Sequence, residues 1–173
     1  IPMTDITPSV WLRAIEPEDL DLIYQLENDI TLWDVSGTSV HYSRNVISDF
    51  IARFTGDIYT DKQARMIAEN QFGEPVAIAD IVDFNPHNRR AELGVVVLPL
   101  SRGAGYGRAV VERLVDYARD TLHLHQLYVY VSEDNRASLN LFRSVGFQET
   151  GRLKSWIFNG TGYKDVLLLQ LFL

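Results

Sequence analysis

An apolar strand that runs into a glycine-rich loop is the most constraining feature of this chain. The stretch reads Val95-Val96-Val97-Leu98-Pro99-Leu100-Ser101-Arg102-Gly103-Ala104-Gly105-Tyr106-Gly107-Arg108, and a helical pattern follows it. Glycine has no Cβ atom, so the backbone N–H groups of such a loop can approach a ligand closely. The first N–H groups of a helix lack partners within the helix and lie at the positive end of its dipole. The stretch therefore predicts a site for a phosphate or pyrophosphate, to which Arg102 and Arg108 add positive charge.

Two common nucleotide-binding loops do not fit this stretch. A P-loop ends in Gly-Lys-Ser or Gly-Lys-Thr, and the loop contains no lysine. A dinucleotide fingerprint needs a third glycine where Arg108 or Val110 stands. It also belongs to an early βαβ unit, whereas this loop lies past the middle of the chain. Binding of ATP or NAD is therefore disfavoured.

Composition narrows the class of protein further. A length of 173 residues is enough for one well-buried domain and short for two. A net charge of −7 argues against general nucleic-acid binding, which usually needs a basic face. The absence of cysteine removes disulfides, thiolate metal ligands and a cysteine nucleophile, and the four histidines show no metal-ligand spacing. With no signal peptide and no apolar run long enough for a membrane span, we expect a cytoplasmic protein that needs no metal and no membrane.

Hydrophobic periodicity predicts a single α/β (α+β) domain with a mixed sheet. One helical pattern lies between two strand patterns past mid-chain, and such a crossover makes these two strands a parallel pair. Short turns join the strands before the loop, and Asn159-Gly160 joins the last two, which indicates antiparallel pairing there. Strands are predicted at 10–15, 64–69, 75–84, 90–98, 126–131, 147–158 and 162–172, and helices at 16–28, 44–54, 105–122 and 135–145.

Carboxylates near the loop are the candidates for acid–base chemistry. Glu92 lies in an otherwise apolar strand that leads into the glycine loop. It either forms an ion pair with Arg89 or Arg90, or lies in a cleft where it could take a proton from an amine, directly or through water. Asp80 and Asp83, on the preceding strand, either form an acidic site for a cationic substrate or are ordinary strand-end charges. Further along, Asn135 can cap the next helix, hold the amide-rich arm of a cofactor, or do both.

In combination, these motifs resemble the GNAT acyl-CoA N-acetyltransferases. The loop Arg102-Gly103-Ala104-Gly105-Tyr106-Gly107 and the later segment Asn135-Arg136-Ala137-Ser138-Leu139-Asn140-Leu141-Phe142-Arg143-Ser144-Val145-Gly146-Phe147 resemble the two central motifs of that family, in the same order. The segments 85–93, 149–153 and 158–165 are similar to the bacterial spermidine/spermine and ribosomal-protein N-terminal acetyltransferases. The resemblance runs from about Trp11 to the C-terminus and is specific only as a combination.

The resemblance implies a fold and an activity. It implies one domain over 1–173, in which about four helices flank a mainly antiparallel seven-stranded sheet with a splayed parallel pair in its middle. It also implies transfer of an acetyl group from acetyl-CoA to a primary amine, by direct attack in a ternary complex. The acceptor would be a polyamine, a diamine or a peptide N-terminus. Homo-oligomers formed through the last hairpin would also fit the family.

The resemblance also implies roles for individual residues. The backbone of Val95, Val96, Val97 and Leu98 would pair with the pantetheine arm, and the loop from Arg102 to Arg108 would hold the pyrophosphate. Glu92 would be the base, and Asp80 and Asp83 match strand carboxylates of the polyamine group. The helix positions that match the cofactor arm are Asn135, Ser138 and Phe142.

Two departures from the family pattern bear on function. Phe142 stands where many members have a tyrosine that is credited with protonating the leaving thiolate, and phenylalanine cannot do so. Tyr130 and Tyr128 are the candidates to replace it, water is another, and a non-catalytic acyl-CoA-binding or regulatory protein is the alternative function. Ser36-Gly37-Thr38 stands where the polyamine group has an acidic pair, which puts polyamine binding at that place in doubt.

Overall fold

The computed structural model of the protein describes residues 7–32 and 39–173. Over these residues the chain forms a seven-stranded sheet of order β1-β2-β3-β4-β5-β7-β6 and five α-helices. The strands are β1 (Trp11–Ala14), β2 (Ala64–Glu69), β3 (Pro75–Asn85), β4 (Arg90–Val97), β5 (Gln126–Ser132), β6 (Gln148–Phe158) and β7 (Tyr163–Phe172). The helices are α1 (Leu20–Glu27), α2 (Arg44–Arg53), α3 (Ile58–Asp61), α4 (Tyr106–Asp120) and α5 (Arg136–Val145).

The predicted fold class is confirmed, with small differences at the helices. The first predicted helix begins as a 3₁₀ turn at Pro17–Asp19 before α1, and the one-turn helix α3 was not predicted. The last hairpin closes through four residues, 159–162, because the Asn159 side chain accepts hydrogen bonds from the backbone N–H groups of Thr161 and Gly162. In the part of the chain that the structure describes, no helix is both long and apolar enough to cross a membrane.

The parallel pair at the centre of the sheet separates soon after it forms. Strands β4 and β5 pair only at Arg90↔Gln126, Ala91↔Leu127 and Glu92↔Tyr128, whereas β4 pairs with β3 up to Val97. All the other strand pairs are antiparallel. The predicted splayed pair is therefore present, and it leaves a gap between β4 and β5.

Helices cover both faces of the sheet. Side chains alternate between the faces of a strand, so on β3 Ile78 points away from Ala77 and Ala79. Ile78 packs with Ile23 of α1 and Ile47 of α2 in a small apolar cluster. Residues 77 and 79 belong to the main core with α4 and α5. The face under α1 and α2 carries Asp80, Val82, Glu92 and Tyr128, since the register places them in line with Ile78.

Candidate active site

The gap between β4 and β5 is a cleft with a volume of about 810 Å³. It lies at the carboxyl end of the parallel pair, which is where α/β sheets usually bind ligands. The predicted site residues, which all lie in the described ranges, divide into two groups. Asp83, Val97, Leu98 and the loop 102–108 lie outside the cleft lining. The residues that line the cleft are Asp80, Glu92, Val95, Val96, Tyr130, Asn135, Ser138 and Phe142.

One edge of β4 has no strand partner along the cleft. The other edge is occupied, because residues 95–97 oppose residues 77–79 of β3. Pairing with β5 ends at Glu92↔Tyr128, so the N–H and C=O groups of residues 93–97 on that side make no ladder bonds. Such an edge can accept an extended, amide-containing molecule in the way that it would accept a strand.

The glycine loop forms the beginning of α4. Gly103 and Gly105 have φ values of 77° and 84°, a left-handed backbone that glycine adopts without a steric penalty. Gly105 is the N-cap of α4 and provides no side-chain acceptor for the first N–H groups of the helix. Across the described chain, the backbone N–H groups of residues 103–107 have no acceptor. They are therefore available to an anion.

Two arginines flank these free N–H groups. The Arg102 Nε donates to the Val97 carbonyl oxygen at 3.2 Å, and the Arg108 Nε donates to Glu112 Oε1 at 2.9 Å. These contacts hold one positive charge at the end of β4 and another on the first turn of α4. Both charges favour the predicted anion site.

Gly107 has a packing role in the same loop. A Cβ atom at this position would lie 3.3 Å from Leu141 Cδ2 and 3.5 Å from Val97 Cγ2. The missing Cβ therefore lets α4 lie close to both α5 and β4. Of the three glycines, Gly103 and Gly105 provide the left-handed backbone of the loop. Gly107 allows the close packing of α4 against its neighbours.

Helix α5 brings three predicted residues to the cleft. Asn135 caps the helix, because its Oδ1 accepts a hydrogen bond of 3.1 Å from the Ser138 backbone N–H. The predicted cap is confirmed, and the side-chain NH₂ of Asn135 has no partner among the described residues. Phe142 lies one turn beyond Ser138, is 6% exposed and packs edge-to-face against Phe147. It gives the cleft an apolar wall.

Glu92 lies where β4 and β5 separate. It opposes Val82 on one side and Tyr128 on the other, and it is half-buried at the closed end of the cleft. Within the described chain Glu92 forms no ion pair, and Arg89 instead donates to the His123 carbonyl oxygen at 2.8 Å. The structure thus favours the cleft interpretation of Glu92 over the ion-pair interpretation.

A bulge in β3 brings Asp83 near Glu92. The β3–β4 register shifts between Val82 and Asn85, and Asp83 has a φ of 49°, a left-handed conformation that is common at bulges. Burial, with a smaller contribution from the Asp83 charge, raises the pKa of the Glu92 carboxyl above its ordinary value. Glu92 is therefore a stronger base than an exposed glutamate.

The two candidate tyrosines differ in what their hydroxyls do. Tyr128 donates its hydroxyl proton to Asp83 Oδ2, and burial together with this hydrogen bond raises the pKa of Tyr128 well above its ordinary value. Tyr130 packs edge-on against Tyr128, with 5.7 Å between ring centroids, is 47% exposed and lines the cleft. Its hydroxyl has no hydrogen-bond partner in the described ranges. Tyr130 is thus the one of the two whose hydroxyl is available to a ligand.

Asp80 belongs to an internal ion-pair cluster. Both of its oxygens accept hydrogen bonds from Arg65, at 2.8 Å from Nε and 3.1 Å from Nη2. The Arg65 Nη1 also donates to Glu27 Oε1 at 2.6 Å. The cluster joins α1 to β2 and β3 and forms one side of the cleft. Asp80 therefore lies at the predicted place, but its carboxylate is already engaged.

Comparison with known proteins identifies the family. The acetyltransferase (GNAT) domain pattern matches residues 9–148, which is most of the chain and includes the cleft and the glycine loop. The protein is a GNAT acetyltransferase. The family expected from the motifs is thereby confirmed.

Several relatives of this acetyltransferase have names or solved structures. It is 26% identical over 155 residues to the spermidine N(1)-acetyltransferase of Vibrio cholerae, covering 90% of this chain and 88% of the relative. The Escherichia coli spermidine N(1)-acetyltransferase is also 26% identical, with 95% and 86% coverage. A crystal structure of the Vibrio cholerae spermidine N-acetyltransferase with CoA and spermine shares the fold, with a TM-score of 0.86, 24% identity and 95% of each chain covered. A dodecameric structure of that protein matches with a TM-score of 0.78, 24% identity, and 95% and 94% coverage.

Some cleft residues of this acetyltransferase were not predicted from the sequence. Arg65 is a charged residue in an apolar strand, the same signal that singled out Glu92, and could have been found in that way. Glu27, Trp156 and Lys164 reach the cleft from distant elements, and no local pattern shows such tertiary placement. The predicted departure at Ser36-Gly37-Thr38 lies outside the described residues.

Proposed function

We propose that this protein transfers an acetyl group from acetyl-CoA to a primary amine. The observation that carries the proposal is the open edge of β4, with Glu92 at its closed end and the glycine loop at its other end. Acetyl-CoA supplies the acetyl group as a thioester. Direct transfer to an amine needs a base, a group that protonates the leaving thiolate, and accurate positioning.

The residues present fit coenzyme A. The free edge at residues 93–96 suits the amides of the pantetheine arm, and the unpartnered N–H groups of residues 103–107 suit a pyrophosphate. Arg102 and Arg108 add positive charge beside the phosphates. Asn135 has a free amide group in the cleft, and Ser138 and Phe142 form the wall against which the arm would lie.

Glu92 acts as the general base in this proposal. Its raised pKa makes it a better proton acceptor than an exposed glutamate. It accepts a proton from the acceptor ammonium, directly or through one water, so that the nitrogen lone pair can attack the thioester carbonyl. The C–N bond forms as the C–S bond breaks. The nitrogen then loses its second proton to water, and Glu92 releases the proton it accepted to solvent, so that the amide is neutral and the base is restored.

Tyr130 acts as the acid that protonates the leaving thiolate. Its hydroxyl is in the cleft and unpartnered, whereas that of Tyr128 is held by Asp83. This assignment replaces the hydroxyl that Phe142 lacks. Tyr130 gives its proton to sulfur and regains one from solvent, to which it is 47% exposed.

The acceptor is a small amine or the N-terminus of a peptide. Spermidine is the first amine to test because two relatives that cover most of this chain are named for that activity. The N-alpha-acetyltransferase RimI of Mycobacterium tuberculosis, 43% identical over 53 residues covering 31% of each chain, supports a peptide N-terminus as the second class. The Glu92 carboxylate in the cleft, with the charge of Asp83 close behind it, favours a cationic amine of either class.

Thiol release from acetyl-CoA tests the proposal. We expect turnover with at least one member of a panel of spermidine, short N-terminal peptides and simple primary amines. Acetyl-CoA that binds tightly without turnover on any amine would instead support the non-catalytic alternative, which Phe142 motivates. Tight binding of NAD or ATP without binding of coenzyme A would reject both the proposed acetyl transfer and the non-catalytic acyl-CoA-binding alternative.

We also infer that the protein self-associates through the β6–β7 hairpin. Phe158 and Tyr163 are 62% and 67% exposed there and their rings are in contact, an exposed apolar pair of the kind that marks an interface. The dodecamer of the Vibrio cholerae protein supports association in this fold. Light scattering on the purified protein should show a mass above that of a monomer, and Phe158→Asp should reduce it.

A further inference from the structure

A second cavity lies on the face of the sheet covered by α1 and α2. We call it the apolar groove, and its volume is about 240 Å³. The side chains that form most of its lining are apolar or aromatic, and they come from α1, α2, the segment before α2 and β3. They are Ile23, Tyr42, Val46, Ile47, Phe50 and Val82.

The apolar groove is continuous with the candidate active site. Val82 lines both cavities, as do the three residues of the Arg65 ion-pair cluster. Val82 also lies directly opposite Glu92 across β3 and β4, and neighbouring strands are about 4.8 Å apart. The groove therefore begins about one strand spacing from the proposed base. A group attached to the reacting amine reaches the groove by crossing Val82.

Arg65 forms ion pairs with both carboxylates at the groove entrance. Arg65 occupies both oxygens of Asp80 and one oxygen of Glu27, and its guanidinium lies 5.9 Å from the centre of the Phe50 ring. A second ammonium on the acceptor would have to compete with Arg65 for these two carboxylates or be buried among the apolar side chains, and burying a charge there is costly. An apolar group would meet no such cost.

We infer that the apolar groove binds an alkyl or aryl group carried by the acceptor amine. The preferred acceptor is then a primary monoamine with an apolar tail rather than a polycation. This inference rests on the proposed amine acetylation and narrows its substrate class. Burial of each methylene in such a groove increases kcat/KM by about fourfold.

A series of amines tests the inference. Linear monoamines from ethylamine to octylamine are compared with α,ω-diamines of the same length. We expect kcat/KM to rise about threefold to fourfold per methylene beyond butylamine until the groove is full, and each diamine to be at least about tenfold worse than its monoamine. A flat series, or a preference for diamines, would overturn the inference. Failure to acetylate any amine would instead reject the proposed function.

A pair of variants assigns the effect to the groove. Val46 lines it and is 49% exposed, whereas Asn45, one position earlier on α2, is exposed and outside its lining. Val46→Asp and Asn45→Asp add the same charge in the first turn of a helix, where carboxylates are well tolerated. Val46→Asp should lower kcat/KM for hexylamine about tenfold and raise it for 1,6-diaminohexane, with unchanged CoA affinity. Equal effects of the two substitutions would contradict the inference.

Discussion

Glu92 and Tyr128 are the last residues that join the parallel strands β4 and β5. Beyond them the strands separate, so a carboxylate stands at the closed end of an open strand edge. The Tyr128 hydroxyl holds Asp83, and the charge of Asp83 adds to burial in raising the pKa of Glu92. The cleft thus begins at the Glu92–Tyr128 pair, and Tyr128, through Asp83, contributes to the raised pKa of Glu92.

Replacing Glu92 by glutamine should remove the base without changing its size. We expect kcat/KM to fall about 100-fold or more, within the usual range for general base catalysis. The measurement is the rate of thiol release at saturating acetyl-CoA. Glu18→Gln, at an exposed position before α1, is the control and should leave the rate unchanged. A wild-type rate for Glu92→Gln would exclude Glu92 from the mechanism.

The same substitution should change the pH dependence of stability. The pKa of Glu92 is higher in the folded protein than its ordinary value of 4.5, so the folded state binds the proton more tightly. The free energy of unfolding therefore falls as pH rises through the interval between the two pKa values. Glutamine does not titrate, so the Tm of Glu92→Gln lacks this loss. The Tm of the variant minus that of wild type should therefore be larger at pH 8 than at pH 4. A Tm difference that is the same at both pH values would contradict the raised pKa.

Tyr130 and Tyr128 should respond differently to loss of the hydroxyl. Tyr130→Phe should lower kcat about tenfold to 100-fold with little change in KM or Tm, because it removes a proton donor and no internal hydrogen bond. Tyr128→Phe breaks the hydrogen bond to Asp83 and should reduce stability by about 1 kcal/mol. Steady-state kinetics and thermal unfolding of both variants provide the comparison. A full kcat for Tyr130→Phe would leave water as the proton donor.

Gly105→Asp should abolish binding of coenzyme A. The position has a φ of 84°, and a Cβ atom there would lie 3.2 Å from Pro8 Cδ. The new carboxylate would also repel the pyrophosphate at the N-terminus of α4. Calorimetry with CoA measures the loss. Gly160→Asp is the matched control, because Gly160 has a φ of 96° with no atom near the new Cβ. Retained CoA affinity in Gly105→Asp would place the pyrophosphate site elsewhere.

Local patterns in the sequence predict the cleft better than they predict what surrounds it. The strand before the glycine loop, the loop itself and the cap at Asn135 are each determined by residues close in sequence, and all three are present. The bulge at Asp83 and the Arg65 cluster depend on pairing between strands, so the sequence could not show that Asp80 is engaged or that Tyr128 is held. The ranking of Tyr130 over Tyr128 follows from these long-range contacts alone.

Asn135 should show two separable roles. Its Oδ1 caps α5 through Ser138, and its free amide NH₂ faces the cleft that the cofactor arm would occupy. Asn135→Ala removes both groups and should cost about 1 kcal/mol of stability as well as CoA affinity. Asn135→Ser keeps a capping oxygen but removes the amide donor, so it should retain stability and still lose affinity. Chemical denaturation and CoA titration of the two variants give the test. If Asn135→Ser binds CoA as tightly as wild type, the residue is a helix cap and contributes nothing to cofactor binding.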